Sequence, residues 1–386
     1  MKSPQTYIDT LRELIAFDTT SRNSNLQLID YIQSILSDRG VTSELTYDEA
    51  RGKANLFATI GRGNEPGIIL SGHTDVVPVD GQSWSTEPFG ATIKEGRLFG
   101  RGACDMKGFI AVCLAKVDDF LSADLNTPIH FAFSYDEEVG CVGVKGLLEE
   151  LKKKPIQPRA CIIGEPTSMG VIRAHKGMLF KRCHVHGKSA HSSLVDQGVN
   201  AITMAAKTIA HIDSIAQRIQ REGPFDQEFA PPYTTLHCGV IKGGIVNNII
   251  PNECQFDFEI RNLPDHSPLA IFDEIDRYVK KELLPKMHEV STDTGFEWKI
   301  LADYPGLNTP LDDNMISVAS NLLQTTNRPG KVSYGTEGGH FQSAGFSTIV
   351  CGPGSIEQAH KPDEYVGLDQ LAKCDQFLSA LIQSMD

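Results

Sequence analysis

Short, fully apolar runs alternate along this chain with longer stretches whose apolar residues recur at helical spacing. Ile8, Leu11, Leu14 and Ile15 fall on one helical face. Leu28, Ile29, Ile32, Ile35 and Leu36 do the same in a second helix, which Gly40 is placed to end. Four apolar runs bounded by Gly or Pro follow: NLFATI at 55–60, GIILSG at 67–72, IHFAFSY at 129–135 and ACIIGE at 160–165. Helical patterns at 106–120 and 143–154 separate the last three. Buried strands alternating with helices predict an α/β layer, a mostly parallel sheet with helices on both faces. The pattern resumes late in the chain, with a helix at 312–325 and the run FSTIVCGPG at 346–354.

The middle reads differently. CQFDFEIR at 254–261 alternates apolar Cys254, Phe256, Phe258 and Ile260 with polar Gln255, Asp257, Glu259 and Arg261. That period of two predicts a strand with one wet face, hence an antiparallel sheet. Helical stretches at 198–217 and 268–284 flank it, the second opened by a Ser267 cap and Pro268 at its first position. Residues 177–305 are therefore expected to form an inserted α+β lid or dimerisation domain. It would interrupt a catalytic domain built from 1–176 and 306–386. Two helices on one sheet face leave the other bare, which predicts a homodimer formed through it.

Composition narrows the partners. A length of 386 residues, 40% of them hydrophobic, suffices for two cores. The net charge of −13 argues against nucleic acid or an anionic membrane surface as a partner. MKSPQTYIDTLRELIAF lacks the apolar core of a leader, and no run is long enough to span a bilayer. Nine scattered cysteines without a CxxC pair suit a reducing cytoplasm and a metal site without thiolates.

The chemistry lies where open α/β sheets carry it, just beyond the carboxyl ends of strands. GIIL leads to His73 and Asp75, IHFAFSY to Asp136, Glu137 and Glu138, ACIIG to Glu165, and STIVCGPG within ten residues to His360. GRGACDMKG places Asp105 just before a helix. Three adjacent acids at a strand end repel one another, and two divalent cations would resolve that repulsion. Nitrogen and oxygen donors without thiolates suit Zn²⁺ or Co²⁺. The His73-x-Asp75 pair fits a ligating histidine whose second ring nitrogen is held by a neighbouring carboxylate.

In order and spacing, SGHTDVVPV, GRGACDMKG, DEEVG, GEPT and AHKPDEY resemble the M20 family of dinuclear metallohydrolases. The resemblance covers nearly the whole chain. It implies that Asp105 bridges two ions, that His73 and Glu165 hold one, and that Glu138 and His360 hold the other. It further implies that Glu137 is the general base and that Asp75 orients His73. His191 in GKSAHSS would reach the partner subunit's site and steady an oxyanion. Asn248 and Arg261 would bind substrate carbonyl and carboxylate groups.

YGTEGGHF at 334–341 bears on the substrate. Family members that bind an extra substrate carboxylate carry an arginine where this chain has His340. Here an acid, Glu337, is added after Thr336, which favours a substrate bearing a distant amine. The expected reaction is hydrolysis of N2-acetyl-L-ornithine to ornithine and acetate, a step of arginine biosynthesis. The alternatives are N-succinyl-diaminopimelate, another acylated amino acid, a dipeptide, or a protein that only binds an amino-acid derivative.

Overall fold

In a computed structural model, residues 6–61, 65–123, 125–154 and 158–385 are described; the ends of the expected catalytic segments, 1–5 and 386, lie outside them. The chain divides into two compact units: Met1–Ala174 with Leu307–Lys331 and Thr336–Asp386, and His175–Gly306 with Val332–Gly335.

In the first unit a nine-stranded mixed sheet is flanked by helices. Its centre is parallel. Ile68–His73 lies between Ile129–Ser134 and Ala160–Ile163, and Ser347–Val350 pairs parallel with the latter. All six residues of Ile68–His73 and of Ile129–Ser134 are buried, as strands covered on both faces must be. Ala54–Ile60 and Ser43–Tyr47 add antiparallel strands at one margin, a feature their apolar runs do not distinguish from parallel ones. The helix Lys107–Ala115 is apolar on all sides because it is buried on all sides. The 106–120 pattern proves to be two helices, breaking at Lys116 before Val117–Ser122. Parallel pairing brings His73, Ser134, Ile163 and Val350 to one edge, and the loops that follow them share that edge.

A small three-stranded sheet went unread in the sequence. It pairs Arg97–Phe99 with both Thr92–Lys94 and Tyr365–Gly367, joining segments far apart in the chain.

The second unit holds four antiparallel strands in the order Thr235–Gly243, Glu253–Asn262, Gly177–His186, Gly295–Tyr304. Phe256, Phe258 and Ile260 pack with Ile212, Ile215, Ile271 and Ile275 of the helices Ala201–Glu222 and Pro268–Tyr278. Ser267 caps its helix as expected, accepting from Ala270 N–H at 3.3 Å, and Asn200 caps the other, accepting from Thr203 N–H at 2.9 Å. The opposite sheet face carries ion pairs. Arg182 grips Asp257 through two bonds of 2.7 Å, and His186 lies 3.2 Å from Glu253. Exposed apolar side chains gather instead on the edge strand and its following loop: Val240, Ile241, Val246, Ile249 and the 97% exposed Ile245.

Candidate metal centre

Four strand ends and one helix start supply the side chains. His73 ends its strand with its ring Nδ1 2.9 Å from the Asp75 carbonyl oxygen and 3.6 Å from the Asp75 carboxylate. The ring is thereby fixed with Nε2 facing Asp105 Oδ1 at 3.0 Å and Glu165 Oε1 at 3.5 Å. His360 Nε2 lies 3.0 Å from Glu138 Oε2 and 3.4 Å from Asp105 Oδ2. Asp105 thus stands between two histidines, one carboxylate oxygen toward each. Potential donor atoms of His73, Glu137 and Glu165 lie within 4.8 Å of one another, as do those of His73, Asp105 and Glu138.

Local backbone explains why these residues converge. Asp136 and His360 adopt left-handed φ angles of 54° and 63°, which non-glycine residues keep only where the surroundings enforce them. Glu165 follows Gly164, whose missing Cβ leaves room for the Phe109 ring 2.0 Å from where it would stand. Asp75 does more than orient His73. Its carboxylate accepts from Glu137 N–H at 3.1 Å, Glu138 N–H at 3.3 Å and the Ser21 hydroxyl at 2.7 Å, so it sets the loop that carries both glutamates.

The electrostatics are those of crowded acids. Burial is the main cause pushing Glu137 and Glu165 well above the usual carboxylate range, with Asp105 adding repulsion to both. Glu138 is pushed up to about 7 by burial and the charge on Asp105. Asp105 moves the other way despite burial, held low by His360 and His73. Burial lowers His73, yet its bond to Asp105 and the charges of Glu165 and Glu137 outweigh it and raise the imidazole well above its ordinary value. His360 is raised to about 10 by its bonds to Asp105 and Glu138. Such a set favours added positive charge, and its oxygen and imidazole donors match Zn²⁺ or Co²⁺.

The remaining expected residues fall in two places. Glu337 is 2% exposed, at the start of the short helix Gly338–Ser343. Burial pushes its carboxyl up to about 7, and its charge in turn helps raise Glu137. Thr336 is buried and accepts from Gly338 N–H at 2.9 Å. The other three are in the second unit. Exposed His191 accepts from Ser193 N–H at Nδ1 (3.2 Å), which leaves Nε2 to carry the proton. The backbone around His191 pairs with Ile249, and Ser192 N–H donates to the Asn248 carbonyl at 3.1 Å, so His191 and Asn248 share one surface. Arg261 is braced by Glu259, with Nε 3.1 Å from Oε1.

Sequence reasoning missed several supporting groups. Ser21, Arg101 and Glu364 are buried around the acids, and the Cys141 thiol lies 3.3 Å from Glu137 Oε1. A fully buried arginine and glutamate are a signal only once burial is known; in the sequence, GRGACD and PDEY read as polar turns.

The match to peptidase family M20/M25/M40 spans residues 69–384. Acetylornithine deacetylase of Myxococcus xanthus is 36% identical over 97% of this chain and 96% of that protein. The Proteus mirabilis enzyme of the same name is 34% identical over 98% and 96%. Among solved structures, a metallo-carboxypeptidase of the M20 family from Sulfolobus solfataricus superposes with a TM-score of 0.76 at 18% identity, covering 99% of both chains. Human carnosine dipeptidase 1 gives 0.73 at 17%, over 98% and 96%. With its acid-rich strand-end site and these full-length likenesses, the chain belongs to peptidase family M20/M25/M40 and is a metal-dependent hydrolase.

Proposed function

We propose that the protein removes the acetyl group of N2-acetyl-L-ornithine, releasing ornithine and acetate in arginine biosynthesis. One observation carries this reading: curated relatives matching 97% or more of the chain at 34–36% identity are acetylornithine deacetylases. Glu337 supports it, since an added buried acid suits a substrate ammonium.

Two divalent ions, Zn²⁺ or Co²⁺, would be held by His73, Glu165 and Asp105 on one side and by Glu138, His360 and Asp105 on the other. When bound they would supply Lewis acidity toward the acyl carbonyl and a lowered pKa for water. The chain's own groups do the rest. A carboxylate oxygen of Glu137 takes the proton of the attacking water and delivers it to the departing amine nitrogen. Asp75 holds the Glu137 loop in place for both transfers. His191, supplied by a second copy, donates Nε2–H to the developing oxyanion. Asn248 and Arg261 bind carbonyl and carboxylate groups of the substrate, with Thr336 and Glu337 at its far end.

The inserted domain, residues 177–305, serves as lid and dimerisation domain, with 1–176 and 306–386 as the catalytic domain. Its exposed apolar edge around Val240, Ile241 and Ile245 supports a homodimer. Among the described residues no helix is long and apolar enough to cross a membrane. A cytoplasmic site of action agrees with the nine unpaired cysteines.

The test is kcat/KM for N2-acetylornithine beside N-succinyl-diaminopimelate, on protein loaded with Zn²⁺ or Co²⁺. A preference of about a hundredfold for acetylornithine, about 2.7 kcal/mol, is expected. The reverse preference overturns the substrate while keeping the chemistry. Glu337→Gln should raise KM for acetylornithine roughly tenfold, the worth of one charge-assisted hydrogen bond. An unchanged KM removes the role given to Glu337.

A further inference from the structure

Asp105 and His360 stand 255 positions apart in the chain, yet they face one another across a few ångströms. Neither sits in the middle of a regular element, so something must hold their loops together. We propose that Glu364 is the positioning residue that locks the Asp105 loop to the His360 loop, with Gln82 as the second tie, so that both ligands are presented in one arrangement before an ion arrives. This inference rests on the metallohydrolase reading of the site and assigns Glu364, Arg101 and Gln82 a role the reading does not include.

The geometry is specific. Glu364 Oε1 accepts from Cys104 N–H at 2.9 Å and from Asp105 N–H at 3.0 Å. Oε2 accepts from Gly102 N–H at 3.1 Å and from the Arg101 guanidinium at 2.7 Å. One carboxylate therefore gathers three backbone amides of the loop that presents Asp105, including that of Asp105 itself. The Glu364 carbonyl takes a fourth amide, Gly100 N–H, at 2.9 Å. Tyr365 then pairs with Phe99, so strand pairing continues the join.

The tie to His360 runs through the same cation. Arg101 Nη2 donates to Gln82 Oε1 at 2.6 Å, and Gln82 Nε2 donates to the His360 carbonyl at 2.9 Å. Trp84 Nε1 also donates to Gln82 Oε1, at 3.1 Å, and fixes the amide's orientation. Arg101 and Glu364 side chains are each 1% exposed. Replacing one would strand the other as a buried, unpaired charge, an arrangement that folds keep only when each partner is satisfied. The carboxylate is also matched to its task. Two oxygens accept four donors, and an amide of the same shape would turn a donor against N–H groups.

Two variants test the assignment, Glu364→Gln and Gln82→Ala, beside the wild type. Metal-free proteins are titrated with Co²⁺ by calorimetry, the visible absorption of bound Co²⁺ is recorded, and the melting temperature of each apo form is measured. Glu364→Gln is expected to weaken Co²⁺ binding by about 10- to 100-fold, as loss of groups that orient ligands does, and to change the Co²⁺ spectrum. Gln82→Ala is expected to weaken one of two ions, on the order of tenfold at most, and to leave the other as in the wild type. Wild-type affinity and spectrum in both variants, with only a lower melting temperature, would overturn the proposal and leave Glu364 a structural residue. Where Glu364→Gln does not fold, Gln82→Ala decides alone, and unchanged affinity for both ions counts against the tie. A wild-type protein that binds no Co²⁺ overturns the metallohydrolase reading itself, an outcome distinct from a variant that matches a metal-binding wild type.

Discussion

His73 and His360 bind the same aspartate from opposite sides, but in unlike surroundings. The His73 side chain is 1% exposed, on a strand buried along its whole length; that of His360 is 56% exposed, on a loop at a left-handed position. His73 has its second nitrogen fixed by Asp75, whereas His360 depends on backbone ties from Gln82 and, through Glu364, from the Asp105 loop. The two halves of the centre differ in how they are built: one is part of the core, the other is clamped onto it. An ion in the first half is expected to be slow to leave, and one in the second exchangeable.

The largest effect should come from Glu137. Glu137→Gln is expected to lower kcat by about 10²- to 10⁴-fold while two ions per chain are retained by metal analysis. Loss of the ion on the His73 side instead would make Glu137 a ligand of the buried half, blurring the separation of base from ligands.

His130 offers a control for His73, since both rings are buried in neighbouring strands. Without carboxylate partners, burial drives His130 down to about 4, with Lys154 adding to the effect. Its folded-state pKa is depressed, so the unfolded chain takes up the proton first. Stability is therefore full above about pH 6.5 and falls as the pH drops toward 4, by about 3 kcal/mol at most. His130→Gln should flatten the melting-temperature profile between pH 6.5 and 4 relative to the wild type. An identical profile would mean that burial alone does not separate the two histidines.

Chelator titration addresses the halves directly. Dipicolinate is expected to remove metal in two steps separated on the order of tenfold in concentration, with His360→Ala abolishing the first step. Loss of both ions in one step would break the comparison. Ser21→Ala, which takes one hydroxyl from Asp75, should cost about 1 kcal/mol in thermal stability and leave metal content unchanged. A loss of metal would show that the Asp75 scaffold reaches the ligands more strongly than its geometry suggests.

Much of this was legible in the sequence, for a physical reason. Strands buried on both faces must be continuously apolar, so 67–72, 129–135 and 160–165 stood out, and the acids had to follow them. Capping residues likewise announced Ser267 and Pro268. What stayed hidden depends on distant pairing. The three-residue strands at 92–94 and 97–99 are too short to show a period, and their partner lies near residue 366. The burial of Glu337 and Glu364 shows only when the chain is folded around them. The alternation of Gln255, Asp257, Glu259 and Arg261 shows that one sheet face is polar, but a residue pattern does not carry the identity of what covers that face. The left-handed turn at His360 leaves no trace in residue type.

Apart from the short segment Val332–Gly335, the chain leaves the first unit after Ala174 and returns at Leu307. Those points are neighbours in one sheet, where Thr309 N–H donates to the Arg173 carbonyl at 2.8 Å and Ile172–His175 lies beside Leu307–Asn308. To the sheet, everything between is one connection of neighbouring strands grown to the size of a domain. Lengthening such a connection is inexpensive, about 0.6 kcal/mol for each doubling. The architecture is in this sense a cassette: evolution, or an engineer, can exchange what hangs from that connection while the strands that gather the acids and histidines are left as they are.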